Sequence, residues 1–372
     1  MTDDPVDEII RYPLRQLYFY LTDACNLSCR HCWIEPSRPR AGSGPTALDP
    51  DLFAAILDQA EALGTKGVKL TGGEPLLHPR IDELLAAIRR RRLSLTVETN
   101  GTLCSGALVE KMAACENAFV AVSLDAPAAE THDWIRGKEG SFASAVTGIG
   151  NLVAAGLKPQ IIMTLMKRNR EQIEALVRLA ESLGAGSVKF NILQPTARGE
   201  RMHAAGETIA IDELIALGAW VDGELSAATA LPLYFHQPPS FRRLGRLFGA
   251  APGDGCHSCG VLGILGVLAD GSYALCGIGE TVPEMIFGHA GRTALREIWL
   301  NSPVLNEIRS GLPGRLRGIC AECLLKHVCM GSCLAQNYYR RRDLWAPFWY
   351  CEEAHLRGLF PNTRLRPGEA GS

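Results

Sequence analysis

Residues 25–33 read CNLSCRHCW. Cys25, Cys29 and Cys32 fall within eight positions, and no fourth cysteine accompanies them. Thiolate sulfur is a soft ligand that selects zinc or the iron of iron–sulfur clusters. A structural zinc site is closed by four ligands. His31 is a nominal fourth, but its closeness to Cys32 makes simultaneous tetrahedral ligation awkward. A [4Fe–4S] cluster normally takes four cysteines. Held by three, it leaves one iron open to a molecule that chelates through amine and carboxylate.

The stretch sits at the start of an alternating pattern. Strand-like segments lie at 16–23, 67–73, 94–100, 119–125, 159–166 and 187–193. Helical patterns lie between them at 49–64, 81–92, 105–115, 141–156 and 170–184, with Asp49 as a cap for the first. Six strands joined by helices imply a parallel sheet with right-handed crossovers. Each of the first four strands runs into residues that packing does not explain: ACNLSCRHC, then TGGEP (71–75), ETNG (98–101) and SLD (123–125). Chemistry in barrel-like α/β folds gathers on such loops. Their convergence on one mouth favours a partial (β/α)6 barrel over an open dinucleotide-binding sheet, whose GxGxxG fingerprint is also missing after the first strand. Taken singly, GGEP reads as a turn and SLD as a helix cap.

The chain has 372 residues, 47% apolar, with a net charge of −2. That length suits one large domain and a smaller one. The charge gives no general attraction to nucleic acid or acidic membranes. MTDDPVDEII is not a signal peptide, and no apolar run reaches the length of a membrane span. A soluble, cytoplasmic protein is expected. There, thirteen cysteines point to metal or catalytic use rather than disulfides. Cys104 and Cys115 stand apart and read as inert buried residues. Eight others lie between 256 and 351.

CxxxCxxC after a first strand, followed by GGEP, ETNG and SLD in order, resembles the radical S-adenosylmethionine (SAM) superfamily over residues 16 to about 195. The aromatic residue that usually precedes the third cysteine is His31 here. The resemblance implies that Cys25, Cys29 and Cys32 hold a [4Fe–4S] cluster whose open iron binds SAM. It implies that Gly72, Gly73 and Glu74 meet the methionyl ammonium. Glu98 and Asn100 would lie near the ribose, and Ser123 and Arg136 would hold the methionyl carboxylate. One-electron reduction of SAM would give a 5′-deoxyadenosyl radical that abstracts hydrogen from an unactivated C–H bond.

The second cysteine field includes CHSC (256–259), Gly271-x4-Cys276, CAECLLKHVCMGSC and Cys351. It resembles the SPASM extension found on many radical SAM enzymes. By that resemblance one auxiliary cluster takes Cys256, Cys259, Cys276 and Cys333, and a second takes Cys320, Cys323, Cys329 and Cys351. The expected total is three [4Fe–4S] clusters. Two structural zinc sites are the alternative, since CxxC pairs alone do not distinguish the metals. The expected division is a core at 12–198, a bridging region at 199–250 with LPLYFHQPPS (231–240) as a connector, a SPASM domain at 251–356 and a flexible tail at 357–372. Tyr273 and His257, beside proposed ligands, read as structural. The stretch YYRRRDLWAPFWYC (338–351) reads as packing around Cys351 with arginines reaching solvent.

Enzymes of this class mostly modify peptides or proteins. Gly277 follows Cys276 where sulfatase maturases carry an acidic residue, which lowers that reading. The segment FYLTDACNLSCRHCWIEP has a looser resemblance to maturases of the SynChlorMet type. About fifteen residues precede the first strand, too few for a leader-recognition domain. The leading expectation is therefore oxidative modification of a ribosomally made precursor peptide, most simply a side-chain crosslink (thioether, C–C or ether). A separate leader-recognition protein and an electron donor such as flavodoxin or ferredoxin would assist. The rivals are a radical SAM dehydrogenase or epimerase acting on a small molecule, and a zinc-stapled binding protein. No general base can be named.

Overall fold

Asp49 caps the helix Pro50–Glu61, as its position suggests. Its carboxylate accepts hydrogen bonds from the Asp51 and Leu52 amides, both at 3.0 Å. These satisfy two of the donors that every helix start leaves unpaired. The same logic, repeated along the chain, gives the expected six parallel strands: β1 (Gln16–Tyr20), β2 (Gly67–Thr71), β3 (Ser94–Thr99), β4 (Glu116–Ser123), β5 (Gln160–Leu165) and β6 (Ser187–Ile192). The computed structural model describes residues 11–34, 46–249 and 259–366. Cys256 and His257 lie outside them.

The strands alternate sharply. One row is apolar and buried: Leu17 and Phe19, Val68 and Leu70, Leu95 and Val97, Val120 and Val122, Ile161 and Met163, Val188 and Phe190. It packs against the outer helices, with the Phe19 and Phe53 ring centroids 4.4 Å apart. The facing row is polar and only partly buried, including Tyr18, Lys69, Thr96, Glu98, Ser123, Thr164, Lys189 and Asn191. A complete barrel fills its interior with branched apolar layers. Here the interior is a polar lumen instead.

Two features extend the expected sheet. The connector at 231–240 contains a seventh parallel strand, β7 (Leu233–Phe235), registered Val188↔Leu233 against β6. Flanking prolines in LPLYFHQPPS masked it as a turn. On the other side, β8 (Ile264–Val267) pairs parallel with β1, and β9 (Ser272–Ala274) and β10 (Ile286–His289) continue antiparallel. The order is β10-β9-β8-β1-β2-β3-β4-β5-β6-β7, so the sheet is open and the cysteine-rich region grows from its β1 edge. Helix Ile211–Trp220 runs on into a π-helical turn, Val221–Leu225.

The described part of the expected flexible tail is tied down. Residues 362–366 return along the second cysteine loop. The Leu324 amide donates to Arg364 O, the Arg366 amide donates to Glu322 O, and Cys323 bridges Leu365. Main-chain pairing of this kind anchors a terminus that its composition marks as free. No helix among the described residues is long and apolar enough to cross a membrane.

Candidate radical SAM site and cysteine centres

The CNLSCRHC loop leaves β1 and is braced from three sides. Asn26 donates to Thr102 Oγ1 and accepts from Asn100 Nδ2, both at 2.8 Å. The C-terminal turn of helix Ala129–Arg136 accepts the Ser28 and Arg30 amides through Arg136 O and Ile135 O. The Arg198 amide reaches Cys32 O at 3.1 Å, and its guanidinium reaches Cys29 O at 3.4 Å. The loop is thereby fixed by backbone and amide groups, leaving the three thiols to face the lumen.

The TGGEP turn lies directly beneath it. The Gly73 amide donates to Thr22 O and the Glu74 amide to Ala24 O, each at 2.8 Å. A β-carbon on Gly73 would stand 2.0 Å from Ala24 O. Glycine is needed there because two backbones touch. Glu74 is 1% exposed and accepts from Thr99 Oγ1 at 2.6 Å, the Asn100 amide at 2.8 Å and the Leu76 amide at 3.2 Å. It ties the second loop to the third. Burial pushes its pKa up, against those hydrogen bonds.

The fourth loop supplies a buried ion pair. Asp125 Oδ2 is 2.8 Å from Arg136 Nε. Asp125 Oδ1 accepts the Thr164 amide at 2.8 Å. Arg136 Nη1 also points at Cys29 Sγ, 3.7 Å away. Burial would raise the Asp125 carboxyl, but Arg136 and the neighbouring histidines outweigh it and hold it below its ordinary range. His31 Nε2 is 3.9 Å from Asp125 Oδ2; burial drives the His31 imidazole down to about 4. It is neutral at physiological pH.

All of the expected first-cluster and SAM residues line one cavity, of about 1090 Å³ including its open mouth. Cys25, Cys29 and Cys32 sit on one wall, Gly72, Gly73 and Glu74 beside them, and Glu98, Asn100, Ser123 and Arg136 around the rest. Some of these side chains are already engaged. Glu98 Oε1 is 2.6 Å from Lys69 Nζ, and Asn100 Oδ1 accepts from the Thr102 amide and hydroxyl. Sequence reading missed Thr71, Thr164, Asn191, Gln194 and Arg198, which also line the cavity. For Thr71, Thr164 and Asn191 the available signal was a polar residue at the last inward position of a strand. Asn191 Oδ1 is buried without a protein partner among the described residues.

The later cysteines form two groups. Cys320, Cys323, Cys329 and Cys351 line a second, largely apolar cavity with Leu316, Ile319 and Phe360. Cys320 and Cys351 are hydrogen-bonded, which lowers the Cys320 thiol and raises that of Cys351. Ser240 Oγ lies 3.2 Å from Cys323 Sγ. Cys259, Cys276 and Cys333 feel one another's charge beside β1. Trp345, Phe348 and Tyr350 are buried around Cys351. Cys104 and Cys115 are also buried and remote from both groups.

This donor set fits iron–sulfur clusters. Each group is built of thiols, the soft ligands that such clusters take. Burial pushes the Cys25, Cys259 and Cys329 thiols up to about 12. They reach their ligating thiolate form only with a metal to replace the proton.

Residues 19–180 match the radical SAM superfamily, and residues 252–324 match the SPASM iron–sulfur cluster-binding domain. The AdoMet-dependent heme synthase of Methanosarcina barkeri is 31% identical over 349 residues, 91% of this chain and 96% of that protein. Mycofactocin maturase MftC of Mycobacterium tuberculosis is 29% identical over 360 residues, covering 94% and 86%. Streptococcus suis SuiB bound to its precursor peptide SuiA shares the fold, with a TM-score of 0.71 at 18% identity, covering 94% of this chain and 79% of that one. Motif order, converging loops and near full-length similarity agree: the chain belongs to the radical SAM superfamily, binds SAM through a [4Fe–4S] cluster, and carries a C-terminal iron–sulfur-binding SPASM domain.

Proposed function

We propose that this enzyme oxidatively modifies a ribosomally made precursor peptide, forming a side-chain crosslink with net loss of two hydrogens. The observation that carries the reading is the pair of adjoining spaces at the open end of the barrel. The SAM cavity shares Ile192 with a groove lined by Leu165, Leu193, Pro195, Leu214 and Trp349, with Arg340 at its edge. A compact molecule needs only the cavity. An extended chain needs a second space beside it, to hold the residues that flank the one reaching the thiols. Similarity to MftC across most of both chains and the fold shared with SuiB support a peptide.

In this reading Cys25, Cys29 and Cys32 hold the SAM-binding cluster. Cys259, Cys276 and Cys333, with Cys256, hold one auxiliary cluster, and Cys320, Cys323, Cys329 and Cys351 the other. The division at 12–198, 199–250 and 251–356 follows these centres. With SAM, the first cluster supplies reductive cleavage to a radical able to abstract hydrogen from an unactivated C–H bond. The protein's share is positioning. The Gly72–Glu74 turn and Ser123 orient the methionyl end, and Glu98 and Asn100 bound the ribose side. Arg136, neutralised by Asp125, offers its remaining face to a carboxylate. Ile162 and Ile192 limit water near the reacting carbon. The enzyme works in the cytoplasm with a small electron-transfer protein.

The test is anaerobic co-expression with the short peptide encoded beside the gene, followed by mass spectrometry. A loss of two hydrogens localised by fragmentation supports the proposal. An unchanged peptide, with no solvent deuterium at any α-carbon, refutes it. A second reading has its own observation, the heme synthase similarity over almost that whole protein. It predicts that the chain restores heme in a host lacking its own terminal step, read by pyridine hemochromogen absorbance.

A further inference from the structure

Lys69 and Glu98 form a charged pair on the lumen face. Lys69 Nζ lies 2.6 Å from Glu98 Oε1 and 4.4 Å from the centroid of the Tyr18 ring. Tyr18 and Lys69 are register partners on β1 and β2, and Glu98 projects from β3. The Lys69 side chain is 17% exposed. The Glu98 side chain is 37% exposed, and a partly exposed pair adds little stability. Charge at this place has another consequence.

One end of the pair is the SAM cavity, which Glu98 lines together with Cys25, Cys29 and Cys32. The other end is the first auxiliary cysteine group. Cys276 follows β9, and Gly277 packs so closely on β1 that a β-carbon there would stand 2.4 Å from the Tyr20 ring. Tyr18, whose ring Lys69 contacts, lines one cavity with Cys259, and its register partner on β8, Gly266, abuts Cys276: a β-carbon on Gly266 would stand 2.9 Å from Cys276 Cα. The spatial order is cavity, Glu98, Lys69, then Cys259 and Cys276.

We propose that the Lys69–Glu98 pair couples the SAM cavity electrostatically to the first auxiliary centre. Lys69 raises that centre's reduction potential, and Glu98 holds the ammonium in place while moderating its effect. The proposal rests on the reading that Cys259, Cys276 and Cys333 hold an iron–sulfur cluster. Reduction adds negative charge to a centre already bearing thiolates. A nearby cation stabilises the reduced state, and the low dielectric of a buried site strengthens the effect. Lys69 is a positioning residue here, acting through charge on groups it does not ligate.

The pair gives opposite signs on substitution, which a loss of packing does not. The experiment is an EPR-monitored redox titration of the full chain, reconstituted anaerobically, for wild type, Lys69→Met, Lys69→Arg and Glu98→Gln. Addition of SAM marks the signal of the first cluster. Among the SAM-insensitive signals, Lys69→Met should move one to a more negative potential and Glu98→Gln should move the same one to a more positive potential. Lys69→Arg should stay near wild type. Unmoved potentials, shifts of one sign in both variants, or a shift confined to the SAM-responsive signal overturn the proposal. Iron content separates its failure from that of the underlying reading. If wild type binds no more iron than a Cys276→Ala/Cys333→Ala chain, the auxiliary cluster itself is refuted, and the proposal with it.

Discussion

Gly73→Ala separates two roles for the TGGEP turn. The family resemblance makes Gly73 a SAM contact, whereas the structure makes it the point where two loops touch. An added β-carbon would stand 2.0 Å from Ala24 O, and such contacts essentially never fall below 3.0 Å, so the loops must part by at least 3.0 − 2.0 = 1.0 Å. The hydrogen bonds from the Gly73 and Glu74 amides, both 2.8 Å, span that seam. Overpacking costs about 1–3 kcal/mol. Weakening two hydrogen bonds adds roughly 0.5–1.5 kcal/mol each. The sum is on the order of 2–6 kcal/mol, concentrated on the loop that carries Cys25, Cys29 and Cys32. The expected outcome is loss of the SAM-responsive EPR signal and its share of iron, without SAM present, while auxiliary iron stays. Normal iron content with weakened SAM binding alone would refute the seam argument and restore the contact role.

Asp125→Asn should cost about 3–5 kcal/mol in denaturant unfolding, because Arg136 becomes a buried charge without its partner; an Asp125→Asn/Arg136→Met double variant should recover much of that loss. His132 is 1% exposed, and burial, with Arg136 nearby, lowers it from 6.5 to about 4. Its folded value lies below the unfolded one, so its contribution is complete above pH 6.5 and is lost as pH falls toward 4. The loss at pH 5 is about 2 kcal/mol at ~1.4 kcal/mol per unit, and His132→Gln should flatten the stability profile between pH 7 and 5. Cys320→Ala/Cys351→Ala should remove about four irons from a total of about twelve if three cubane clusters are present; an unchanged count would refute the second auxiliary site. Ser240→Ala should lower the reduction potential of that same centre, since a hydroxyl directed at Cys323 Sγ, 3.2 Å away, relieves its negative charge; an unmoved potential would show that Ser240 only packs there.

Much of the design was legible in the sequence for local reasons. Cysteine spacing is itself chemistry, so the first cluster needed only eight consecutive positions. The six strands and the helices between them declared themselves through composition and caps such as Asp49, which act over a few residues. GGEP and SLD stood out because packing did not require them. Other features depended on partners remote in the chain. Lys69 is an unremarkable polar residue in β2 until Glu98 and Tyr18 flank it. Asp125 reads as a helix cap until Arg136 closes on it. The close approach of Gly73 to Ala24 O cannot be read from TGGEP alone. Strand β7 was hidden by prolines at both ends, and its pairing with β6 outweighs their local preference. The pairing of β8 with β1, which sets Cys276 beside the lumen, joins segments about 250 residues apart. Local spacing and propensity thus determined the ligand motifs and the elements; long-range strand register and charge pairing decided which of them share a cavity, because those energies arise only once distant segments meet.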